Sequence, residues 1–339
     1  MKKIYFLTFI ALIITMIVGV AFGATPISIY DLSIEDMVSY FNDDLEDSTS
    51  YIIIFRMRLP RVILAFLVGA VLAGCGVAFQ SLLKNPLAEP YTLGVSSGAG
   101  LGAAIGIFLL TTVSSMPFKV PYLISLLAFI TGLITVFIVL TIAQSQGQLK
   151  TINLILAGVV ISSTFSALIS FIMLFANENM RQIYFWLMGN LSMATWERIY
   201  IALIPIIIGM LIIAFNLKRL NIMQLGDETA QSLGVEVNKI KKIVMLGATL
   251  ATAAAVSVSG LIGFVGLIIP HTLRIILGSS VIKIFPLSMI WGGIFLILAD
   301  LLARTVLSPM EIPVGVITAL FGGPFFLYLL KSKSKGDSV

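Results

Sequence analysis

The sequence predicts an all-α polytopic membrane protein with about ten transmembrane helices. Of its 339 residues, 59% are apolar and 11% are charged, and the mean hydropathy is +1.08. Soluble domains carry roughly a quarter charged residues. The apolar residues are also gathered in runs of about twenty, which is the length that a helix needs to cross a hydrocarbon core of ~30 Å. Helices with so few polar residues could not present a polar face to water, so a soluble fold is excluded.

Ten apolar segments divide the chain, and we expect them to form one membrane domain over residues 1–339. They lie at about 4–24, 62–83, 92–113, 121–143, 152–176, 197–217, 240–259, 262–278, 284–303 and 312–330. The first is longer than the roughly 7–15 apolar residues of a signal peptide, so we predict that it is retained. Pro270 predicts a break in the short 262–278 segment. Residues 180–196, with Trp186 and Trp196, predict an interfacial or re-entrant piece outside.

The distribution of Lys and Arg predicts the orientation. With a cytoplasmic N-terminus, 14 of these residues lie in inner loops and 7 in outer ones, and the positive-inside rule favours that arrangement. An even number of helices then places both termini in the cytoplasm. An acidic loop at 25–55 lies outside, and the polar stretch at 221–238 lies inside. The Lys and Arg residues that set the orientation explain the net charge of +5, so this charge does not indicate nucleic-acid binding.

The polar stretch predicts a short helix held at the membrane face. Asp227 can cap its N-terminus, Glu228 stands where the helix dipole favours an acid, and Gly234 fits the left-handed residue after its end. The helix would have about two turns.

Some motifs suggest covalent chemistry or nucleotide binding. Gly94-Val95-Ser96-Ser97-Gly98 matches G-x-S-x-G, and Asp227 and His271 follow in the order of a hydrolase triad. The nucleophile elbow needs a strand before the serine, whereas a turn sequence precedes it here. The glycines that follow predict close helix packing instead, since Gly98, Gly102 and Gly106 are four residues apart. The sequence contains no G-x-x-x-x-G-K-[ST] loop, so ATP would have to bind another subunit.

Polar residues in and near the apolar segments leave alternatives open. Ser162, Ser166 and Ser170 share a helix face, and they either line a polar path or bond to their own helix and pack against a neighbour. A cluster of arginines ends the acidic loop: Arg56, Arg58 and Arg61. They suit carboxylates of a docking protein, but they can equally snorkel or pair with the acidic loop. The scarcity of ionisable residues inside the segments disfavours an ion-coupled secondary transporter. The single Cys75 and single His271 exclude an internal disulfide, a cysteine-based metal site and a histidine cluster.

Five stretches in chain order, over roughly residues 56–330, carry a resemblance. They are Arg58-Leu59-Pro60-Arg61 through Gly69, Gly74 and Gln80 to Asn85–Pro90 and Leu93–Ala99; Trp186–Leu191; Leu225-Gly226 through Ala230 to Leu233-Gly234-Val235; Gly260–His271; and Ala299–Arg304 with Glu311–Gly315. Together they resemble the FecCD-type permeases, the membrane subunits of bacterial ABC importers for iron-siderophores, haem and vitamin B12.

The resemblance implies a type II ABC importer permease of ten helices in the bacterial cytoplasmic membrane. It implies a second permease subunit, identical or paralogous, two cytoplasmic ATPases that bind ATP and Mg, and an external substrate-binding protein. The permease would catalyse no covalent chemistry and bind no cofactor. We expect an iron(III)-siderophore as substrate, with haem or vitamin B12 as alternatives within the family. A secondary transporter and an intramembrane hydrolase are the alternatives from other classes.

The resemblance also assigns roles to residues. The loop after the sixth helix docks on the ATPase in this family, and the residues that match or flank that pattern are Leu225, Gly226, Asp227, Glu228, Ala230, Leu233 and Gly234. Arg58, Arg61 and Arg304 match arginines that family members present to glutamates of the binding protein. The family's fifth and tenth helices line the path, which makes a pathway role for Ser162, Ser166 and Ser170 as well supported as the packing role.

Overall fold

The computed structural model of the chain describes residues 2–23, 52–112, 122–145, 148–176 and 179–336. The acidic stretch 25–51 lies outside the described residues. The helices are α1 Lys2–Ala21, α2 Leu59–Leu83, α3 Val95–Thr112, α4 Leu123–Ala143, α5 Thr151–Phe175, α6 Met180–Leu187, α7 Trp196–Met223, α8 Asp227–Ser232, α9 Val237–Ser259, α10 Val265–Leu277, α11 Val281–Thr305 and α12 Val314–Gly336. A π-helical turn, Ile52–Arg58, leads directly into α2, and a 3₁₀ turn, Pro90–Leu93, precedes α3.

The predicted membrane helices are present in the described part of the chain. Seven helices there are long and apolar enough to cross a membrane, and three shorter apolar helices lie at Val95–Leu110, Val265–Leu277 and Val314–Leu327. The all-α polytopic fold is therefore confirmed. Two-residue strands, Gln144–Ser145 and Gln148–Leu149, pair antiparallel after α4, and the sequence did not predict them. The short helix α6 occupies the first half of the predicted interfacial piece at 180–196.

Several boundaries differ from the predicted ones. The second span begins at Ile52, so Arg56, Arg58 and Arg61 lie within helical turns, and the predicted loop at 25–55 is helical in its last residues. Helix α7 continues to Met223, so the first residues of the predicted 221–238 loop are helical. Both extensions are helical turns that carry charged side chains. Only the apolar part of each helix was predicted as a span.

The predicted break at Pro270 was wrong, because α10 runs through this residue. Proline lacks the N–H that would bond the carbonyl four residues earlier, here that of Gly266. The side-chain amide of Gln80 donates to this carbonyl at 3.1 Å. A side chain of α2 thus supplies the missing hydrogen bond, so the helix can continue inside an apolar environment.

The helix α2 is the centre of the fold. Within its span 83% of the most apolar 18-residue window is buried, against 17% for α1 and for α5. Glycines bring its backbone against two neighbours. A Cβ on Gly69 would collide with the carbonyl of Gly292 on α11, and one on Gly76 would collide with the carbonyl of Gly266 on α10. Close backbone approach of this kind drives helix association where water supplies no hydrophobic force.

Contacts between helix ends define two faces of the molecule. At the first, which we call the α8 face, Lys84 at the end of α2 and Lys241 near the start of α9 both contact Asp227. At the second, the opposite face, Arg304 at the end of α11 bonds the Gly19 carbonyl near the end of α1. There α12 also begins, since Gly315 donates to the Met188 carbonyl at 3.1 Å. Consequently α1 begins and α12 ends towards the α8 face.

We predict that Gly69→Ala lowers the free energy of unfolding by about 1–3 kcal/mol, because the added methyl group must push α2 away from α11. Gly323→Ala is the matched control, since Gly323 lies within α12 and an added Cβ there meets nothing within 4 Å. Thermal unfolding of the purified protein in detergent measures both. Equal unfolding temperatures for the two variants would contradict the packing described for α2.

Candidate functional site

The short helix α8, Asp227–Ser232, lies in the chain between α7 and α9. It ends as the sequence predicts. Gly234 has a φ of +83°, its N–H donates to the Gln231 carbonyl, and the Val235 N–H donates to the Ala230 carbonyl, both at 2.9 Å. This is the hydrogen-bond pattern of a Schellman motif. A Cβ on Gly234 would meet nothing within 4 Å, so its backbone conformation, and not space, requires glycine here.

The predicted capping role of Asp227 was wrong. Gly226 precedes the helix with a φ of +120°, and no side chain caps the N-terminus. Asp227 instead places one carboxylate oxygen 2.6 Å from Lys84 Nζ and the other 2.7 Å from Lys241 Nζ. Two ammonium groups attract the carboxylate more strongly than backbone N–H groups do, which explains why it turns away from the helix end. We call Lys84, Asp227 and Lys241 the ion clamp.

The Asp227 carboxylate of the ion clamp is charged at neutral pH. Partial burial raises the pKa of Asp227, but the hydrogen bonds and charges of Lys241 and Lys84 outweigh this effect, and the pKa lies below its ordinary value. A lowered pKa in the folded state means that the stabilisation is complete above the ordinary aspartate range. It is lost only as the pH falls through the lowered value. The clamp therefore fastens α8 to the ends of α2 and α9 throughout the physiological range.

Exposed apolar side chains flank α8 at both ends. Ala230 is fully buried against the molecule, whereas Leu225 is 66% and Leu233 is 61% exposed. Glu228 and Gly234 are exposed beside them. Large apolar side chains outside the spanning helices mark contact surfaces for other proteins. Of the predicted residues, Leu225, Glu228, Leu233 and Gly234 are exposed and Gly226 is half-buried, and we call these five residues the stub surface.

The sequence missed a connection from α8 to α10. Lys84 has a φ of +49°, which ends α2 and starts the loop that leads to Tyr91. The Tyr91 hydroxyl accepts from the Ile262 N–H at 2.9 Å and donates to the Ile262 carbonyl. Ile262 lies three residues before α10. The loop after α2 is therefore held by the ion clamp at its start and by Tyr91 near its end. Lys84 and Lys241 do not belong to any repeating sequence pattern that includes Asp227. No sequence signal therefore pointed to this connection.

The three predicted docking arginines lie at the opposite face, and all are buried. Their exposed fractions are 5% for Arg58, 9% for Arg61 and 3% for Arg304. Arg58 donates to the carbonyls of Val20 and Ala21, the second at 2.7 Å. Arg61 Nε donates to Asp300 at 3.0 Å and its Nη1 donates to Glu311 at 2.9 Å, while Arg304 lies 3.5 Å from the other Asp300 oxygen.

These contacts bear on the docking prediction without testing it. A guanidinium group that already bonds Asp300 or a helix-end carbonyl would have to leave that partner to reach a carboxylate on another protein. Breaking a buried ion pair costs several kcal/mol. Arg56, by contrast, is exposed. The docking role of Arg58, Arg61 and Arg304 stays a prediction, and their described geometry ties α1, α2 and α11 together at this end.

The three predicted pathway serines do not share one environment. The Ser162 hydroxyl accepts from the Ser97 hydroxyl of α3 at 3.1 Å. Ser166 and Ser170 are exposed, and Ser170 donates to the Ser166 carbonyl at 3.0 Å. Side chains eight residues apart on an α-helix point in directions that differ by about 80°, so Ser162 and Ser170 do not lie on one line along α5. Ser162 therefore packs against α3, whereas the other two lie on the uncovered side of α5.

The competing motifs do not form catalytic or nucleotide sites. Ser96 lies in the first turn of α3 after a 3₁₀ turn, whereas a nucleophile elbow needs a strand, and Asp227 is engaged in the ion clamp. Gly98 and Gly102 pack against Thr135 and Thr131 of α4, as the packing interpretation predicted. Over the described ranges, no three His, Cys, Asp or Glu side chains are grouped as a metal site requires.

Comparison with known proteins gives consistent matches over nearly the whole chain. The model of the FecCD transport family matches residues 10–332. The cobalamin import system permease protein of Halobacterium salinarum is 39% identical over 285 residues, covering 84% of this chain and 75% of the relative. A protein of Helicobacter pylori assigned as an iron chelatin transport system permease is 37% identical over 333 residues, covering 97% of this chain and 98% of the relative.

Two further matches extend over nearly the full length of both chains. The hemin transport system permease protein of Yersinia pestis is 36% identical over 324 residues, which are 94% of this chain and 93% of the relative. A solved structure described as an inward-facing conformation of a candidate metal-chelate type ABC transporter superposes with a TM-score of 0.82. It is 32% identical, and the match covers 98% of this chain and 100% of that chain.

We predict that Asp227→Asn speeds amide hydrogen exchange of residues 227–233 roughly two- to fivefold, because the two partly exposed ion pairs that fasten α8 are weakened. Glu228→Gln is the matched control. It removes the same charge from the next residue, which is exposed. Exchange followed by mass spectrometry on the purified protein measures both variants, and indistinguishable rates for D227N and E228Q would show that the clamp does not hold the helix.

Proposed function

The chain belongs to the FecCD transport family as the permease subunit of an ABC importer, and we propose that it carries an iron(III)-siderophore. As a permease it is not itself catalytic, and the alternatives of a secondary transporter and an intramembrane hydrolase fall away. The proposed substrate is supported by the iron chelatin permease, whose match extends over 98% of that relative's length. Haem is the first alternative and cobalamin the second, because relatives named for these substrates are similarly identical in sequence.

In this proposal the α8 face is cytoplasmic and the stub surface is the contact for the ATPase. The support is the pair of exposed leucines, Leu225 and Leu233, at the two ends of a helix fastened to the membrane helices. ATP and Mg would bind the two ATPase partners. Their closure would push on α8, and the ion clamp would pass that displacement to Lys84 at the end of α2 and to Lys241 in the first turns of α9. Both termini would then lie in the cytoplasm, as the Lys and Arg distribution favours.

The opposite face would receive the external binding protein. Arg56 is an exposed arginine available to a carboxylate there, and Arg58, Arg61 and Arg304 would join it only if docking opened their internal contacts. A second permease subunit, identical or paralogous, would cover α5, of which only 17% of the apolar window is buried. Ser166 and Ser170 on its uncovered side would then border the path between the subunits.

We predict that Leu233→Glu uncouples transport, lowering substrate uptake about tenfold or more, because a charge in the centre of an apolar contact removes its binding energy. ATP hydrolysis by the partner subunits would persist but would no longer respond to loaded binding protein. Uptake and hydrolysis in proteoliposomes measure both effects, with Leu233→Met as the conservative control. Coupled transport at the normal rate in L233E would refute the contact.

The substrate is tested with the complete transporter reconstituted in liposomes with its ATPase and binding protein. We expect ATP-dependent uptake of an iron(III)-siderophore labelled with radioactive iron, and little uptake of haem or cobalamin. An ATPase variant that binds but does not hydrolyse ATP is the control for leakage. Saturable uptake of haem or of cobalamin in place of the siderophore would overturn the proposed substrate while leaving the importer assignment intact.

A further inference from the structure

An apolar groove of about 530 Å³ lies between α4, α7 and α9. Its apolar walls include Leu126 and Phe129 of α4 and Ile201 and Ile204 of α7, and Arg198 is the charged residue among those that line it. Leu126 is 50% exposed and Ile204 is 66% exposed. The groove therefore opens sideways on the outer surface of the helix bundle, where the acyl chains of the membrane lie.

Small residues create this groove. Deeper in the membrane the backbones of α7 and α9 touch. A Cβ on Gly209 would collide with the Gly247 carbonyl, so the contact requires glycine. Nearer the opposite face the two helices present Ala202 and Ala254, whose short side chains leave the space between them and α4 unfilled. The space is therefore a consequence of the helix packing itself.

The groove begins at the membrane interface and extends into one leaflet. Arg198 lies in the first turn of α7, and Tyr122 immediately precedes α4. Pro205, also in the groove lining, is seven residues beyond Arg198, a distance of about 10 Å along a helix. One leaflet contributes about 15 Å of hydrocarbon. Trp196 and Tyr200, whose rings stack 6.3 Å apart, mark the same interface.

A second, more polar cavity adjoins the groove at Arg198. It measures about 180 Å³ and shares Arg198, Ser125 and Val258 with the groove. Its other lining residues include Gln182, Asn190 and Ser192. The apolar groove and the more polar cavity thus meet where Arg198 lies. Unlike Arg61 and Arg304, which pair with Asp300, Arg198 has no carboxylate within ion-pair distance among the described residues.

We propose that these two cavities bind one glycerophospholipid of the leaflet at the opposite face. Its phosphate pairs with Arg198, its polar headgroup occupies the compartment beside Gln182 and Asn190, and one acyl chain lies in the groove between α4 and α7. Arginine binds phosphate oxygens through two parallel N–H donors.

The test measures lipid retention by the assembled transporter with native mass spectrometry. Dioleoylphosphatidylglycerol is compared with dioleoylglycerol, which has the same chains but no phosphate. We expect the wild-type complex to retain the phospholipid about tenfold better, and Arg198→Gln to abolish that preference. Ala254→Leu, which fills the groove, should reduce retention of both lipids.

Arg181→Gln is the matched control, because Arg181 is an exposed arginine on α6, 5.5 Å from the Phe185 ring, and lines neither cavity. It should retain lipid as the wild type does, and unfolding temperatures confirm that each variant is folded. Unchanged phospholipid retention in R198Q, or an equal loss in R181Q, would overturn the proposal. The second outcome would show general attraction of lipid by surface charge.

Discussion

The contact of α2 with its neighbours through bare backbone is the constraint on which the other features depend. Gly69 meets the Gly292 carbonyl of α11 and Gly76 meets the Gly266 carbonyl of α10, and neither contact admits a Cβ. Because these contacts fix α2 against α10 and α11, they also fix the positions of its two ends. Each end carries a basic residue that recruits a carboxylate from a distant part of the chain, Arg61 at one face and Lys84 at the other.

The two ends differ in the cost of being opened. The pair of Arg61 with Asp300 is buried, and separating it would leave charges in a medium that solvates them poorly. Lys84 and Asp227 are more than a third exposed, so water replaces much of what their separation loses. Separating the ion pair therefore costs more free energy at the opposite face than at the α8 face. The α8 face also carries the stub surface, where a moving partner would act.

The sequence predicted more of the architecture than of the site. Runs of apolar residues located ten helices, and the glycines at 98, 102 and 234 were predicted to pack or to turn as they do. The ion pairs could not be predicted, since Arg61 and Asp300 are 239 residues apart and hydrophobic periodicity assigns a face but not a partner. Asp227 was assigned to a local cap because Lys84 and Lys241 become its neighbours only after α2, α7 and α9 have packed.

The hydrogen bond from Gln80 to the Gly266 carbonyl limits how the helices can rearrange. Proline at 270 leaves this carbonyl without a partner inside its own helix, so α10 depends on α2 for a complete set of backbone bonds. Sliding or tilting α10 away from α2 would expose an unsatisfied carbonyl at membrane depth, at a cost of several kcal/mol. We therefore expect the two helices to move together, so that opening of the chain occurs at other helix boundaries.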